Sequence, residues 1–351
     1  MFLLLTHSST LLFTLILLTP LPCIVSRPLT FPQVTKITIT NHNIQHLAQA
    51  GKGSTVTGIS EVKNYLSHFG YINISLHDNT FSDDFDTEFE SAVNLYQQKL
   101  GLQVTGKLDS DTLSHIITPR CGVEDTTNVH PFHSTKHFLY FPGKPRWWRP
   151  MPMSLTYAFS PEDMIHSLSL DDIRTAFKRA FSRWASVIPV NFVETEDYGF
   201  ADIKIGFFSG DHGDGEPFDG VLGVLAHSFS PENGRLHLDA AETWAVNFRS
   251  EKSEVAVDLE SVATHEIGHL LGLSHSSVKE AVMYPSLKAR DQRADLKIDD
   301  IKGVQALYGS NPNFRFGSLL ESDISANEGR DLRVKSLRLA GFILFSFVHS
   351  L

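Results

Sequence analysis

The chain has 351 residues, a formal net charge of −10 and only two cysteines. Its length suits about two domains, and its ordinary globular composition excludes a coiled coil, a collagen-like chain and a wholly disordered chain. The acidic balance argues against a nucleic-acid partner, and two cysteines are too few for a disulfide-stapled scaffold. The 17 histidines, against five methionines, make metal binding a hypothesis worth pursuing.

The N-terminus, residues 1–26, resembles a secretory signal peptide. An apolar run over residues 11–18 has the length of a signal core, and two prolines interrupt the chain soon after it. No positive charge precedes the run, so a short N-terminal anchor is the alternative. Cleavage near residues 23–26 would remove Cys23 or leave it at the terminus. Cys121 would then be the only cysteine of the folded protein, and a lone free thiol in an oxidising compartment needs an explanation.

Residues 58–118 predict a small bundle of three short helices. Apolar residues repeat at helical spacing over residues 59–66 and 85–100, and a third short helix follows over residues 108–117. Asn73 begins an N-glycosylation sequon, which is compatible with secretion.

The following region, residues 138–310, predicts an α+β domain in which helices pack on a sheet. Ser169 is a good N-cap for a helix with a continuous apolar face. Strands are predicted over residues 155–159, 190–194, 201–207, 222–228 and 236–240. Helices are predicted over residues 169–187, 259–271 and 299–308.

The C-terminal extension, residues 311–351, ends in a second apolar run over residues 339–351. This run is too short to span a bilayer, which takes about 20 residues. A charged spacer precedes it, and small residues over 325–329 precede the spacer, which is the pattern of a GPI-attachment signal. A C-terminal helix packed on the core is the alternative.

The most informative motif is HEIGHLLGLSH, which begins at His265. His265 and His269 are four residues apart, so they share one face of a helix and can reach one cation. Gly272 can end the helix, and the returning chain can then supply His275 as a third ligand. Three imidazoles leave the fourth tetrahedral position open, as in catalytic zinc sites. Glu266 can then act as general base toward a zinc-activated water.

Together with Met283 in a Met-Tyr-Pro turn, this motif resembles the metzincins, zinc endopeptidases with the pattern HExxHxxGxxH and a methionine turn. Ser276 after the third histidine makes the chain similar to the matrixins, or matrix metalloproteinases, and to their short plant members without a C-terminal propeller domain. The resemblance covers residues 58–310. It implies a catalytic domain with a twisted, mostly parallel five-stranded sheet and three helices. A propeptide, residues 27–137, would precede it with a three-helix, peptidoglycan-binding-like prodomain.

The resemblance also gives Cys121 a role. Residues 119–125, PRCGVED, are similar to the family's cysteine-switch segment PRCGVPD, with Glu124 in place of the usual proline. The Cys121 thiolate would occupy the open zinc position and inhibit the zymogen, while Arg120 would pair with Asp125. A buried, inert cysteine is the alternative.

A polar, glycine-rich stretch over residues 208–244 carries further potential metal ligands. Three histidines and an aspartate can close a tetrahedral site for a second, structural zinc, whereas carboxylates and backbone carbonyls suit calcium. The predicted zinc set is His212, Asp214, His227 and His237. The calcium set that the resemblance implies is Asp219, Gly220, Leu222, Val224, Asp239 and Glu242. A solvated polar loop is the alternative for the whole stretch.

Asp202 fits a strand position that serves another calcium in the family. Arg235, however, stands where a loop aspartate is expected. The sequence therefore argues against that second calcium.

These patterns predict a secreted zinc endopeptidase, made as a zymogen, that hydrolyses extracellular proteins. The resemblance places an extended substrate along the strand over residues 222–227, and residues after Pro285 would wall its S1′ pocket, with Leu287 where many relatives have an aromatic residue. The propeptide would be the inhibitor, and a GPI anchor would attach the chain to the outer face of the plasma membrane.

Two other classes of protein stay open. One is a surface glycan-binding protein with a relic metalloprotease domain, which the helical region would suit. The other is a zinc amidase acting on small molecules. Glu266 favours the enzyme over the relic, since a relic needs no general base, and an amidase would need a lid that the sequence does not show.

Overall fold

The computed structural model describes residues 44–73, 80–125 and 138–315. The predicted signal peptide, most of the linker before the predicted catalytic domain and the GPI-attachment pattern lie outside these residues. Asn73 is a described residue and is exposed, whereas the other two residues of its sequon lie outside the described part of the chain. Among the described helices, none combines the length and apolar character that a membrane crossing requires.

The N-terminal part of the described chain forms the predicted three-helix bundle. A short 3-10 helix at Gln45–Gln49 precedes α1 (Ile59–His68), α2 (Thr87–Lys99) and α3 (Ser110–Ile116). Asp86 and Asp109 cap α2 and α3 with their side chains. The apolar residues at helical spacing form a core of their own, in which Phe89 and Tyr96 are fully buried. This bundle is called the helical bundle below.

A mixed, mostly parallel sheet is the centre of the second part. Its strands are β1 (Arg120–Cys121), β2 (Met153–Phe159), β3 (Val190–Glu194), β4 (Ile203–Phe208), β5 (Val224–Ser228) and β6 (Arg235–Asp239). The order across the sheet is β1-β5-β6-β4-β2-β3. Only the β5–β6 pair is antiparallel. A separate two-stranded sheet joins β7 (Trp244–Ala245) and β8 (Val257–Asp258).

The α+β class is confirmed, and the strand count needs one correction. Five strands belong to the region after residue 138, as predicted, but the sheet has six because β1 from residues 119–125 adds to its edge. A two-residue strand is too short to leave an alternating pattern in the sequence. Moreover, β5 begins at Val224 rather than Leu222, because Leu222 and Gly223 have φ angles of 57° and 139°, outside the strand region.

The three predicted helices are present: the first two pack on the sheet, and the third adds apolar side chains to the same core. They are α4 (Leu170–Val187), α5 (Leu259–Leu270) and α6 (Ile298–Tyr308). Ser169 caps α4 by accepting the N–H of Asp172 at 3.1 Å. The apolar face of α4 meets α5, where the buried Trp184 indole donates to the carbonyl of Thr264 at 2.8 Å. These contacts hold α5, which carries the HExxH motif, rigidly in the core.

Candidate active site

The three histidines of the motif converge on one point. His265 and His269 lie one turn apart on α5, and the chain then turns at Gly272, whose φ is 99°. A Cβ there would lie 2.2 Å from the carbonyl oxygen of Pro145, so only glycine fits. The return brings His275 to the other two: the Nε2 atom of His269 is 3.0 Å from that of His265 and 3.2 Å from that of His275.

In each histidine, the ring nitrogen that points away from the other two rings shows which nitrogen carries the proton. Each Nδ1 has an oxygen acceptor: Val282 O for His265 at 2.7 Å, Leu273 O for His269 at 2.8 Å and Asp125 Oδ1 for His275 at 2.7 Å. Since carbonyl and carboxylate oxygens only accept, each Nδ1 carries the proton and each Nε2 presents a lone pair. Burial lowers the pKa of all three rings and keeps them neutral.

This donor set fits zinc. Three lone pairs about 3 Å apart repel one another unless a cation lies between them. A tetrahedral zinc with bonds of about 2.0–2.1 Å separates two ligand nitrogens by about 3.3 Å, close to the observed 3.0 and 3.2 Å. The geometry is that of three imidazoles around one metal position.

Cys121 is the fourth member of this cluster. Its Sγ atom lies 3.4 Å from Nε2 of His269, and all four ligand atoms lie within 4.8 Å of one another. The side chain is buried, and burial raises the pKa of the thiol well above its ordinary value. A bound metal cation acts in the opposite direction, because it stabilises the thiolate.

Residues 119–125, called the switch segment below, lie between two walls of the site. On one wall, the N–H groups of Arg120 and Gly122 donate to the carbonyls of Gly223 and Ala226, both at 2.8 Å. On the other, Cys121 N–H donates to Pro285 O and Leu287 N–H to Pro119 O, both at 2.9 Å. A Cβ on Gly122 would lie 2.7 Å from a methyl group of Val224. This glycine therefore permits the close approach to β5.

The expected ion pair within the switch segment is present. Arg120 Nη2 lies 2.8 Å from Asp125 Oδ1, and both side chains are almost fully buried. The guanidinium also lies over the ring of Phe69, 3.5 Å from its centroid. Burial alone would raise the pKa of Asp125, but the Arg120 charge and the hydrogen bond with His275 hold it well below its ordinary value. The carboxylate is therefore ionised at neutral pH.

Glu266 is fully buried beside the histidines. Neither of its carboxylate oxygens has a hydrogen-bond partner in the described part of the chain. Burial raises the pKa of Glu266 to about 7, against the opposing effect of the polar groups of Cys121 and Ser228. A carboxylate without partners and with a near-neutral pKa can both accept and return a proton.

Met283 lies directly against the helix that carries the ligands. A Cβ on Gly268 would lie 2.2 Å from Met283 Sδ, so the glycine makes room for the methionine. The turn is fixed from α6, because the buried Asp300 accepts the N–H groups of Val282 at 2.9 Å and Met283 at 3.0 Å. Asp300 also accepts the N–H of Lys297 at the start of α6, at 2.8 Å. Its role at Met283 was missed from the sequence, because it depends on the packing of two distant segments.

A small, open pocket adjoins the cluster. Its walls are largely apolar, and the polar side chains Ser261, Glu266 and Arg293 also reach it. Leu225, Val262, Val282 and Leu287 supply the apolar walls. Leu287, the residue expected in the S1′ pocket, is thus one of the residues that line this cavity.

The predicted second zinc set also converges. Its four ligand atoms lie within 4.8 Å of one another. Asp214 Oδ2 is 2.9 Å from His212 Nε2, 2.8 Å from His227 Nε2 and 2.8 Å from His237 Nδ1. Burial lowers the pKa of His227 and of His237. One carboxylate oxygen shared by three imidazoles is a donor set that suits a closed tetrahedral zinc site.

The predicted calcium carboxylates surround the loop over residues 219–224. Asp219, Asp239 and Glu242 accept the N–H groups of Val224 at 2.9 Å, Gly220 at 3.1 Å and Leu222 at 2.7 Å respectively. Among the described residues, only the two histidine clusters converge within 4.8 Å. The second oxygen of Glu242 is nevertheless buried without a partner there. Burial and the charges of Asp239 and Asp219 raise the pKa of Glu242 to about 8.

Asp202 has other partners. Its carboxylate lies 2.6 Å from Arg149 Nη2 and accepts the backbone N–H of Thr156 at 2.8 Å. It thus links the start of β4 to β2, and both its oxygens are engaged.

The helical bundle also contacts the site through His115, Leu100 and Tyr71, none of which was expected from the sequence to lie there. His115 Nε2 lies 2.7 Å from Tyr284 OH, and this phenol donates to Leu100 O at 3.1 Å. Tyr71 OH donates to Asp125 Oδ2 at 2.8 Å. Each contact joins residues more than 50 positions apart, so no local sequence signal could have revealed them.

Comparison with known proteins gives this geometry a family context. Residues 146–309 match the family model described as Matrixin, and residues 55–116 match the one described as Putative peptidoglycan binding domain. The chain is 61% identical over 280 residues to Metalloendoproteinase 4-MMP of Arabidopsis thaliana, covering 79% of this chain and 80% of that one. It is 54% identical over 308 residues to Metalloendoproteinase 1-MMP of the same plant, covering 86% and 83%. Identity to Metalloendoproteinase 1 of Glycine max is 47% over 266 residues, covering 74% and 85%.

Proposed function

The chain belongs to the matrixin family of zinc metalloendopeptidases, and from this premise we propose that it is a secreted zymogen whose own propeptide inhibits it. The observation that carries the proposal is the four-membered cluster of Cys121 with His265, His269 and His275. A thiol from outside the HExxH motif fills the position that a catalytic zinc site keeps open. Protein substrates then require that the switch segment leave.

Hydrolysis would depend on Glu266 and the walls of the cleft. Zinc, when bound by the three histidines, supplies Lewis acidity toward water and the substrate carbonyl. Glu266 would take the proton of the attacking water and return it to the leaving amine. Among the described residues, no group competes for that carboxylate through a hydrogen bond.

The substrate would occupy the place of the switch segment. The carbonyls of Gly223 and Ala226 on one wall, and that of Pro285 on the other, bind backbone N–H groups of the switch segment. An extended peptide can use the same groups, as in β-augmentation. The adjoining cavity, with Leu225 and Leu287 in its walls, would accept an apolar side chain next to the scissile bond.

Two further ions complete the proposal. A structural zinc would bind His212, Asp214, His227 and His237. One calcium would bind the carboxylates of Asp219, Asp239 and Glu242 with carbonyls of Gly220, Leu222 and Val224. It would satisfy the buried Glu242 oxygen that has no partner among the described residues.

Removing the Asp214 carboxylate should abolish zinc binding at the structural site and leave the catalytic zinc in place. We expect Asp214→Ala to lose one equivalent of zinc, because this oxygen contacts all three histidines of its cluster. Elemental analysis of the purified full-length chain would measure its zinc content. The unfolding temperature of the variant should fall toward that of the metal-free protein. Asp211→Ala is the control, since Asp211 is exposed and lies outside the cluster. Equal zinc contents in both variants would contradict the second site.

Secretion, glycosylation at Asn73 and a GPI anchor remain part of the proposal, as do the boundaries of the signal, propeptide, catalytic domain and C-terminal extension. They depend mainly on residues outside the described chain. Treating expressing cells with phosphatidylinositol-specific phospholipase C distinguishes an anchored protein, which is released, from one secreted freely.

The decisive experiment is a cleavage assay on a peptide library with the full-length chain. We expect little cleavage by the intact chain, cleavage after a thiol-modifying mercurial is added, and its loss with a zinc chelator. Absence of cleavage under every condition would contradict the enzyme. If the chain then bound peptidoglycan, the match of residues 55–116 would favour the glycan-binding alternative.

A further inference from the structure

The three zinc-site histidines differ in which part of the chain holds their second ring nitrogen. The Nδ1 atoms of His265 and His269 donate to the backbone carbonyls of Val282 and Leu273, within the same region as the histidines. The Nδ1 atom of His275 instead donates to Asp125, in the switch segment. Removal of the propeptide therefore leaves two of these hydrogen bonds in place and breaks the third.

Asp125 is held firmly in this position. Its backbone N–H donates to Phe69 O at 3.2 Å. Its Oδ2 atom accepts from Tyr71 OH at 2.8 Å, and its Oδ1 atom lies 2.8 Å from Arg120 Nη2 and 2.7 Å from His275 Nδ1. The side chains of Asp125 and His275 are 3% and 5% exposed, so water does not screen the interaction between them.

A carboxylate in this position changes the metal site. It fixes the orientation and tautomer of the imidazole and increases the basicity of the nitrogen that faces the metal. Removal of such a partner commonly weakens metal binding by about 10- to 100-fold. A backbone carbonyl, which is neutral, polarises the ring less than an ionised carboxylate does.

We propose that Asp125 is a positioning residue of the zinc site. The propeptide supplies a carboxylate partner for His275 in addition to the Cys121 thiolate. The site therefore binds zinc more tightly in the zymogen than after the propeptide has left. This inference rests on the proposed zymogen. It assigns the switch segment two separate effects on the metal, one at the open position and one through a histidine. Maturation thus removes a charged partner from the third ligand.

The test measures zinc affinity by competition with a chromophoric chelator, in the full-length chain carrying Glu266→Gln to prevent self-cleavage. We expect Asp125→Asn to raise the zinc dissociation constant by about 10- to 100-fold. Tyr71→Phe is the matched control, since it removes a hydrogen bond from the other oxygen of the same carboxylate but leaves the His275 contact. Its dissociation constant should stay close to that of the parent chain.

Cobalt substitution shows whether the switch segment stays in place. The thiolate-to-cobalt absorption band should persist in both variants, so that the weaker binding in Asp125→Asn does not come from loss of Cys121. The inference is overturned if Asp125→Asn and Tyr71→Phe bind zinc equally well, or if affinity falls only where the thiolate band disappears.

A second measurement needs no change at Asp125. In the nitrogen-labelled, zinc-loaded Glu266→Gln chain, the His275 Nδ1 proton should resonate far downfield, and it should shift when an added protease removes the propeptide. A resonance that does not change would overturn the inference even if Asp125→Asn failed to fold. Failure of the peptide-cleavage assay, by contrast, would bear on the proposed protease function and not on the affinity difference.

Discussion

Replacing Cys121 by serine should convert the full-length chain from an inactive to an active, self-processing protease. The sulfur lies 3.4 Å from Nε2 of His269 and completes the ligand cluster. A serine hydroxyl has nearly the same shape, but it ionises far less readily than a thiol and is a poor zinc ligand. The backbone hydrogen bonds of the switch segment to Ala226 and Pro285 would remain, so the substitution removes the metal bond alone. If the metal–sulfur bond stabilises the closed state by about 3 kcal/mol, its loss would increase the fraction of molecules with the switch segment displaced about a hundredfold.

Initial rates on a fluorogenic peptide, with gel analysis of propeptide loss over time, would measure this effect. Val123→Ala is the matched control, because Val123 lies two residues after the cysteine in the switch segment and its backbone N–H donates to the sulfur at 3.4 Å, a contact that the substitution keeps. That variant should stay as inactive as the parent. If Cys121→Ser binds zinc normally and remains inactive, backbone pairing alone closes the cleft and the thiol is not the inhibitor.

The features that sequence could reveal are those with a local pattern. His265 and His269 share one helix, so their four-residue spacing was sufficient to predict a common metal position. The bundle helices and α4 followed from apolar residues at helical spacing. The family resemblance added the role of Cys121, 144 positions from His265, which spacing alone could not have provided.

The features that sequence could not reveal depend on contacts between distant segments. Asp125 was expected to pair with Arg120, but its hydrogen bond to His275 joins residues 150 positions apart. The strand β1 has two residues and exists only because β5 offers an edge. Asp300 fixes the turn at Met283 from another helix. Such contacts depend on how complete elements pack together, and no periodicity encodes them.

Glu266→Gln should abolish most peptide hydrolysis while the chain keeps its zinc. The carboxylate is not one of the converging ligand atoms, so its replacement leaves the metal donors unchanged. Glutamine has nearly the same volume but cannot accept and return a proton, and general acid–base catalysis commonly contributes about 10²- to 10⁴-fold to the rate. Because the carboxylate is buried without a partner in the described part of the chain, its neutral replacement should not lower the thermal stability. The variant should therefore lose activity without losing stability, which distinguishes a catalytic role of Glu266 from a structural one.

Glu266→Gln is best compared with its parent in the Cys121→Ser background, in which the protease needs no thiol-modifying agent to become active. Zinc content and unfolding temperature should match the parent while kcat/KM falls by the factor expected for loss of the base. Glu260→Gln is the matched control, since it makes the same chemical change on α5 but at a carboxylate that pairs with Arg179 at 2.5 Å, away from the cluster. Its kcat/KM should stay near that of the parent. Substantial cleavage by Glu266→Gln would mean that another group moves the proton, because the metal donors alone would then be sufficient for the reaction.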